Sequence, residues 1–235
     1  MIKAIFFDLD GTLLPMDQDI FLNAYLSGLA RKGAAHGYDP KKLVKYVWAG
    51  TAAMVKNDGS KNNETLFWDT FSTLCGRDTR QDVAVFDEFY RNEFQQIQKV
   101  CGFDPRAAEA IQEIKSMGYR VALATNPLFP SIATYSRARW AGLDPQDFDL
   151  ITTYENSCRC KPNPDYYRDV LNILGVQPGE CLMVGNDVAE DMIAESLGIR
   201  VFLLTDCLIN KHNADIRRYP QGSFPELMAY IGGLK

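Results

Sequence analysis

Apolar positions change rhythm twice along this chain. Ala4, Ile5, Phe6 and Phe7 form a short continuous apolar run, which predicts a buried strand over Ile2–Phe7. From Asp17 to about Val100 the spacing is helical. Ile20, Ala24, Leu26 and Leu29 suit one apolar face, as do Leu66, Phe67, Phe71 and Leu74. The stretch Phe86–Phe94 keeps that spacing, and no alternating strand pattern interrupts it. The polar run Lys56–Asn63 reads as a loop within the helical region. Trp48 is expected in the packing of this insert.

After residue 101 helices and strands alternate. Helices are predicted over Pro105–Met117 with Gly118 as cap, Ile132–Ala141 ending near Gly142, Tyr166–Leu174 ending at Gly175, Glu190–Leu197 ending at Gly198, and Phe224–Ile231. Strands are predicted over Arg120–Ala124, Leu150–Thr153, Cys181–Val184 and Arg200–Leu204. This alternation implies an α/β protein with a doubly wound parallel sheet. Residues 1–15 and 101–235 are expected to form that core, and residues 16–100 a smaller all-helical domain. In such sheets ligands bind beyond the carboxyl ends of the strands.

The chemistry-bearing residues cluster at those predicted strand ends. Asp8 and Asp10 follow the first strand, with Gly11 and Thr12 next. Residues i and i+2 of a strand share a face. Two crowded carboxylates need a cation or a shared proton. Oxygen-rich sites of this kind suit Mg²⁺, and a glycine lets backbone approach a ligand closely. Asp-x-Asp-Gly also occurs in ordinary turns, so the preceding strand and the later segments carry the argument.

Those segments are Ala124-Thr-Asn126 after a strand, Lys161-Pro-Asn-Pro164, and Val184-Gly-Asn-Asp-Val-Ala-Glu-Asp191. With Asp8-Leu-Asp-Gly-Thr12, and in this order, they resemble the motifs of the haloacid dehalogenase-like (HAD) hydrolase superfamily. The resemblance spans Asp8 to Asp191. It implies a Rossmann-like core, with the helical insert as a cap domain that closes over the site and selects substrate. It implies a Mg²⁺-dependent phosphatase acting on a small phosphorylated metabolite. Asp8 would be the nucleophile and a metal ligand, and Asp10 the acid/base, its carbonyl also on the metal. True haloacid dehalogenases resemble the first motif but lack this second acid, and Thr12 resembles its phosphatase form. Gly11, Thr12, Thr125, Asn126 and Lys161 would hold the phosphate. Without that context Thr125 reads as a cap or turn residue and Lys161 as a surface lysine.

The fourth motif departs from the common Gly-Asp. Asn186 stands at the usual first-ligand position, whereas charge favours Asp187, which shares a helix face with Asp191. Either Asn186 or Asp187 is expected on the metal, with Asp191 behind it; helix capping by these acids is the plainer reading. A phosphomutase of the same fold and a non-catalytic phospholigand-binding protein are the alternatives. A phosphonate-cleaving relative would need a cap lysine, and nothing marks Lys56 or Lys61 for that role. Trp48, Lys56, Lys61 and Arg91 are not nominated as site residues.

Composition narrows the remaining classes. Hydrophobic residues make up 46% and charged residues 23% of the chain, enough for a sizeable core. The net charge of −5 and the lack of a basic run argue against nucleic-acid binding. No apolar stretch long enough to span a membrane and no signal-peptide pattern are present, so a cytoplasmic setting is expected. The six cysteines do not form a disulfide framework. Cys158 and Cys160 are the one close pair and, with only His36 and His212 in the chain, read as loop thiols rather than a zinc site. Neither a dinucleotide fingerprint nor a P-loop pattern occurs. Oligomeric state is left open.

Overall fold

The computed structural model describes residues 1–234. The chain opens with β1 (Ala4–Phe7), then passes through α1 (Gln18–Ala35), α2 (Pro40–Val55), α3 (Asn63–Cys75), α4 (Val83–Arg91) and a 3₁₀ segment, Glu93–Val100. It returns as α5 (Pro105–Ser116), β2 (Arg120–Leu123), α6 (Ser131–Trp140), β3 (Leu150–Ile151), α7 (Pro164–Leu174) and β4 (Cys181–Gly185). A 3₁₀ segment, Met192–Leu197, leads to β5 (Arg200–Leu204), β6 (Gln221–Gly222) and α8 (Phe224–Gly232). The sheet has six strands in the order β3-β2-β1-β4-β5-β6, and every pairing is parallel. β1 lies inside the sheet, which is why all of its residues are buried and its sequence is uninterrupted in apolar character.

The two faces follow the two-residue period of the strands. Ile5, Phe7, Val121, Leu123, Leu182, Val184, Phe202 and Leu204 join one core, with Ala107, Ile111 and Ile114 of α5 and Leu227 and Ile231 of α8. Ala4, Phe6, Ala122, Cys181, Met183, Val201 and Leu203 join the other, with Tyr166, Tyr167, Val170 and Leu174 of α7. The helical insert belongs to the first core, so insert and sheet share one continuous apolar interior. The chain leaves and re-enters the sheet side by side: Met16 and Cys101 form an antiparallel bridge, and the Gly102 N–H donates to the Pro15 carbonyl at 2.7 Å.

Several local expectations are corrected. Residues Met192–Leu197 form a 3₁₀ segment rather than an α-helix from Glu190, and Asp191 at its start is drawn back to the Lys161 ammonium and the Asp187 N–H. β3 stops at Ile151, and Thr152 instead hydrogen-bonds Leu123 and Thr125. β6 has two residues and no periodic signal. In α1 the buried face runs through Phe21, Tyr25 and Leu29, while Ile20 is exposed. In α3 Trp68 and Phe71 are buried and Leu74 is exposed. Trp48 is 47% exposed rather than packed inside, because α2 turns Leu43, Val47, Gly50 and Met54 inward instead.

Candidate active site

β1 delivers the first acid. The Asp8 N–H donates to the Val184 carbonyl at 2.9 Å, extending the ladder one residue past the strand, and Asp8 is buried. The chain then turns back on itself through N–H donations from Thr12, Leu13 and Leu14 to the Leu9 carbonyl. Gly11 sits in that turn at φ +86°, and a Cβ there would lie 2.3 Å from the Asn186 side chain. Glycine is therefore required both by backbone conformation and by the close approach of Asn186. The Thr12 hydroxyl lies 2.9 Å from Asn186 Oδ1 and 3.3 Å from Asp8 Oδ2, so these oxygens converge on one point.

Lys161, the residue before the turn into α7, is buried and points its ammonium at Asp8 Oδ1 (2.9 Å) and Asp191 Oδ1 (2.7 Å). Burial alone would push its pKa down. The charges of Asp191 and Asp8 outweigh burial and hold it well above its ordinary value, so it stays a cation. Burial also pushes the Asp191 carboxyl up, against the pull of Lys161. Asp191 Oδ2 accepts the Asp187 N–H at 3.0 Å, and a Cβ at Gly185 would lie 2.1 Å from that oxygen. Gly185 thus makes room for Asp191 beneath the strand end.

The fourth motif divides its work. Asn186 is buried beside Gly11 and Thr12, and its Nδ2 donates to the Cys207 carbonyl at 2.7 Å. Asp187 turns its Oδ1 to the N–H groups of Ala189 (2.8 Å) and Glu190 (3.0 Å), a local cap. Thr125 and Asn126 follow β2. The Thr125 carbonyl is held by the Thr152 hydroxyl (2.7 Å) and the Tyr166 hydroxyl (3.0 Å). Asn126 Nδ2 donates to Glu190 Oε2 at 2.9 Å, and burial raises the Glu190 carboxyl to about 7. Thr152 and Tyr166 carried no motif signal, and Glu190, though it lies within the fourth motif, was given no role; each is placed by the fold.

Asp10 brings in the residue that sequence reading missed most completely. Arg137 of α6 is fully buried and donates Nη1 to Asp10 Oδ2. Its guanidinium lies 4.3 Å from the centroid of the Phe129 ring, and Nη2 reaches Thr134 Oγ1 at 3.4 Å. Burial pushes the Asp10 carboxyl up while Arg137 pulls it down, and the outcome is a raised pKa. In Ser136-Arg-Ala-Arg139 nothing separates this arginine from a surface one.

Among the described residues no group of three or more His, Cys, Asp or Glu side chains is arranged to hold a metal ion. A set completed by an amide lies outside such a group. Asp8 Oδ2 and Asn186 Oδ1 face the same hydroxyl, and Asp10 Oδ1 is buried with no partner among the described residues. Hard oxygen donors with few protein carboxylates fit Mg²⁺, which keeps waters and phosphate oxygens in its shell.

The haloacid dehalogenase-like hydrolase family model matches residues 2–205. The chain belongs to that family of hydrolases. A pyrophosphatase, PpaX of Bacillus cereus (strain AH820), is 24% identical over 186 residues, covering 79% of this chain and 75% of that one. Among solved structures, a HAD phosphatase from Thermococcus onnurineus superposes with a TM-score of 0.61 at 20% identity, over 99% of both chains. An L-2-haloacid dehalogenase from Xanthobacter autotrophicus, with chloropropionic acid covalently bound, superposes at 0.59 and 18% identity over all of both chains. The fold is thus shared by phosphatases and dehalogenases alike, and the reaction has to be argued from the site.

Proposed function

We propose that the protein is a Mg²⁺-dependent phosphatase that hydrolyses a small phosphorylated metabolite through an aspartyl-phosphate on Asp8. One observation carries the reading: Asp8 at the end of β1 is held by buried Lys161 at 2.9 Å, with a second carboxylate, Asp10, two residues on. A dehalogenase has no use for that second acid, whereas phosphate transfer to and from an aspartate needs a proton donor and then a base.

In this reading an Asp8 oxygen attacks phosphorus as the bond to the leaving oxygen breaks, and Asp10 gives that oxygen its proton. Asp10 then takes a proton from water as the water oxygen attacks phosphorus. The Asp8–phosphate bond breaks, inorganic phosphate leaves, and Asp8 is restored. The Thr125 hydroxyl, the Asn126 backbone N–H and the Lys161 ammonium hold the phosphate oxygens. Gly11 and Thr12, expected among these donors, instead spend their N–H groups on the Leu14 and Leu9 carbonyls within their own turn. Asp8, the Asp10 carbonyl and Asn186 would hold Mg²⁺, with Asp191 behind them. Asn186 is preferred over Asp187 because its oxygen converges with Asp8 on Thr12, while Asp187 caps a turn. The ion supplies charge neutralisation at the transferred group.

Residues 16–100 form the cap in this reading and residues 1–15 with 101–235 the core, supported by the paired crossing at Met16 and Cys101. The cysteines at 75, 101, 158, 160, 181 and 207 are free thiols, which favours a reducing, cytoplasmic setting. The test is phosphate release from acetyl phosphate, with and without Mg²⁺, by wild type and Asp8→Asn. Release requiring both Mg²⁺ and Asp8 supports the reading. Tight phosphate binding without release by folded wild type replaces it with a phospholigand-binding protein.

A further inference from the structure

The interface between the helical insert and the sheet encloses a cavity of about 170 Å³. Its wall is largely aromatic, built from Tyr25 of α1, Trp68 and Phe71 of α3, Phe86 of α4, and Phe129 and Tyr154 from the sheet side. A cavity of about 150 Å³ with an apolar wall is enough to take up benzene. The rings hold one another in place: Trp68 lies 5.5 Å from Phe71 and 5.6 Å from Phe86, and Tyr25 lies 5.2 Å from Phe129, centroid to centroid.

Two connections tie this cavity to the catalytic end of the sheet. Phe129 lies in the segment that continues Thr125-Asn126, and its ring face carries Arg137, which pairs with Asp10. Tyr154 stands in the loop that runs to Lys161, and its N–H donates to the Phe129 carbonyl at 3.1 Å. The segments that place the phosphate-binding residues therefore also build the cavity wall.

The wall offers little to a polyol. The Tyr25 and Tyr90 hydroxyls bond each other at 2.9 Å, and Trp68 Nε1 reaches the Tyr154 hydroxyl at 3.5 Å. Asp87 engages Arg91 through one oxygen at 3.5 Å, and Asp87, the Thr51 hydroxyl and the Trp48 indole, none of them buried, are the remaining polar groups of the lining. A sugar or glycerol placed here would strand hydroxyl groups without partners, which is unfavourable in an apolar enclosure.

We propose that this cavity receives the organic group of the substrate, and that the group is a single apolar ring or a branched hydrocarbon of similar size. The inference rests on the phosphatase reading, and one experiment separates the two. Phosphate release is measured from benzyl phosphate, cyclohexylmethyl phosphate, glycerol 3-phosphate and acetyl phosphate, each with the Asp8→Asn background subtracted. The first three leave as primary alkoxides, so differences among them report binding of the organic group rather than leaving-group chemistry. The expected result is a kcat/KM for the benzyl and cyclohexylmethyl esters at least about tenfold above that for glycerol 3-phosphate. In Leu26→Phe, which narrows the cavity from α1, that ratio falls toward one. Asp8-dependent hydrolysis with glycerol 3-phosphate equal or preferred overturns the inference and leaves the phosphatase reading standing. Absence of Asp8-dependent release from all four esters overturns the phosphatase reading and the inference with it. A ratio unchanged in folded Leu26→Phe also overturns the inference, and if that variant fails to fold, the wild-type series decides.

Discussion

The carboxyl end of the sheet and the aromatic interior beneath the helical insert are both buried, yet they are built on opposite terms. At the sheet end, Lys161, Arg137, Asp191 and Asp8 are buried charges, and each is tolerated because a named partner stands within hydrogen-bond reach. Beneath the insert, Phe71, Phe86, Phe89 and Phe94 are held by area and shape, with no direction to satisfy. Desolvation of an ion is large and only a particular geometry offsets it. Burial of apolar area is smaller per residue, about 1.5–3 kcal/mol for a large side chain, and accrues with many arrangements. The first region should therefore tolerate almost no substitution, and the second should tolerate exchange of one apolar side chain for another but not a void.

The contrast breaks first at Asp8. Asp8→Asn keeps shape and removes the nucleophile, so phosphate release should fall on the order of 10⁴-fold or more with the melting transition retained. Full activity in Asp8→Asn would end the mechanism. Lys161→Met keeps length and removes charge, leaving Asp8 and Asp191 facing each other. Denaturant unfolding should show a loss of about 3–5 kcal/mol. Most of that loss should be recovered in Lys161→Met/Asp191→Asn, since contacting charges are coupled; strict additivity would show that the pair does not act as a unit.

On the apolar side, Trp68→Ala should lose about 3–5 kcal/mol by leaving a void, whereas Phe71→Leu should lose less than about 1.5 kcal/mol. Equal losses would mean that the ring geometry is as exacting as the charged cluster. The smallest effect concerns Glu190. Burial raises its carboxyl from 4.5 to about 7, so between those values the folded protein binds more protons than the unfolded chain. Its contribution to stability then falls as pH rises from 4.5 through 7. In chelator, Glu190→Gln should flatten that decline in melting temperature, and an unchanged slope would assign the pH dependence to other groups.

Part of the charged region was legible in the sequence, because strand ends announce themselves by an apolar run that stops at polar residues. Asp8, Thr125 and Gly185-Asn186 all follow such runs, and the structure brings Asp8 together with Lys161 and, through Thr12, with Asn186. Arg137 was not legible: a helix can turn any arginine outward, and only the packing of α6 against the first-motif turn brings it to Asp10. The same holds for Thr152, Tyr166 and Glu190, whose roles are to hold backbone or side chains of Thr125 and Asn126. In the insert, helical content was legible and the buried face was partly misread. Ile20, Leu74 and Trp48 are apolar and exposed because neighbouring positions won the contact with the packed interior.

By itself, then, the sequence determined the parallel α/β core, the helical insert after the first strand, and the order of the acids, the lysine and the glycines that the site needs. These are properties of periodicity and of residues with few conformational or chemical substitutes. Tertiary structure alone decided which oxygen of the fourth motif faces Asp8, which arginine is buried against Asp10, and that the rings of insert and sheet enclose a space the size of a benzene ring. Each of those depends on the distance between segments far apart in the chain, and no local pattern encodes such a distance.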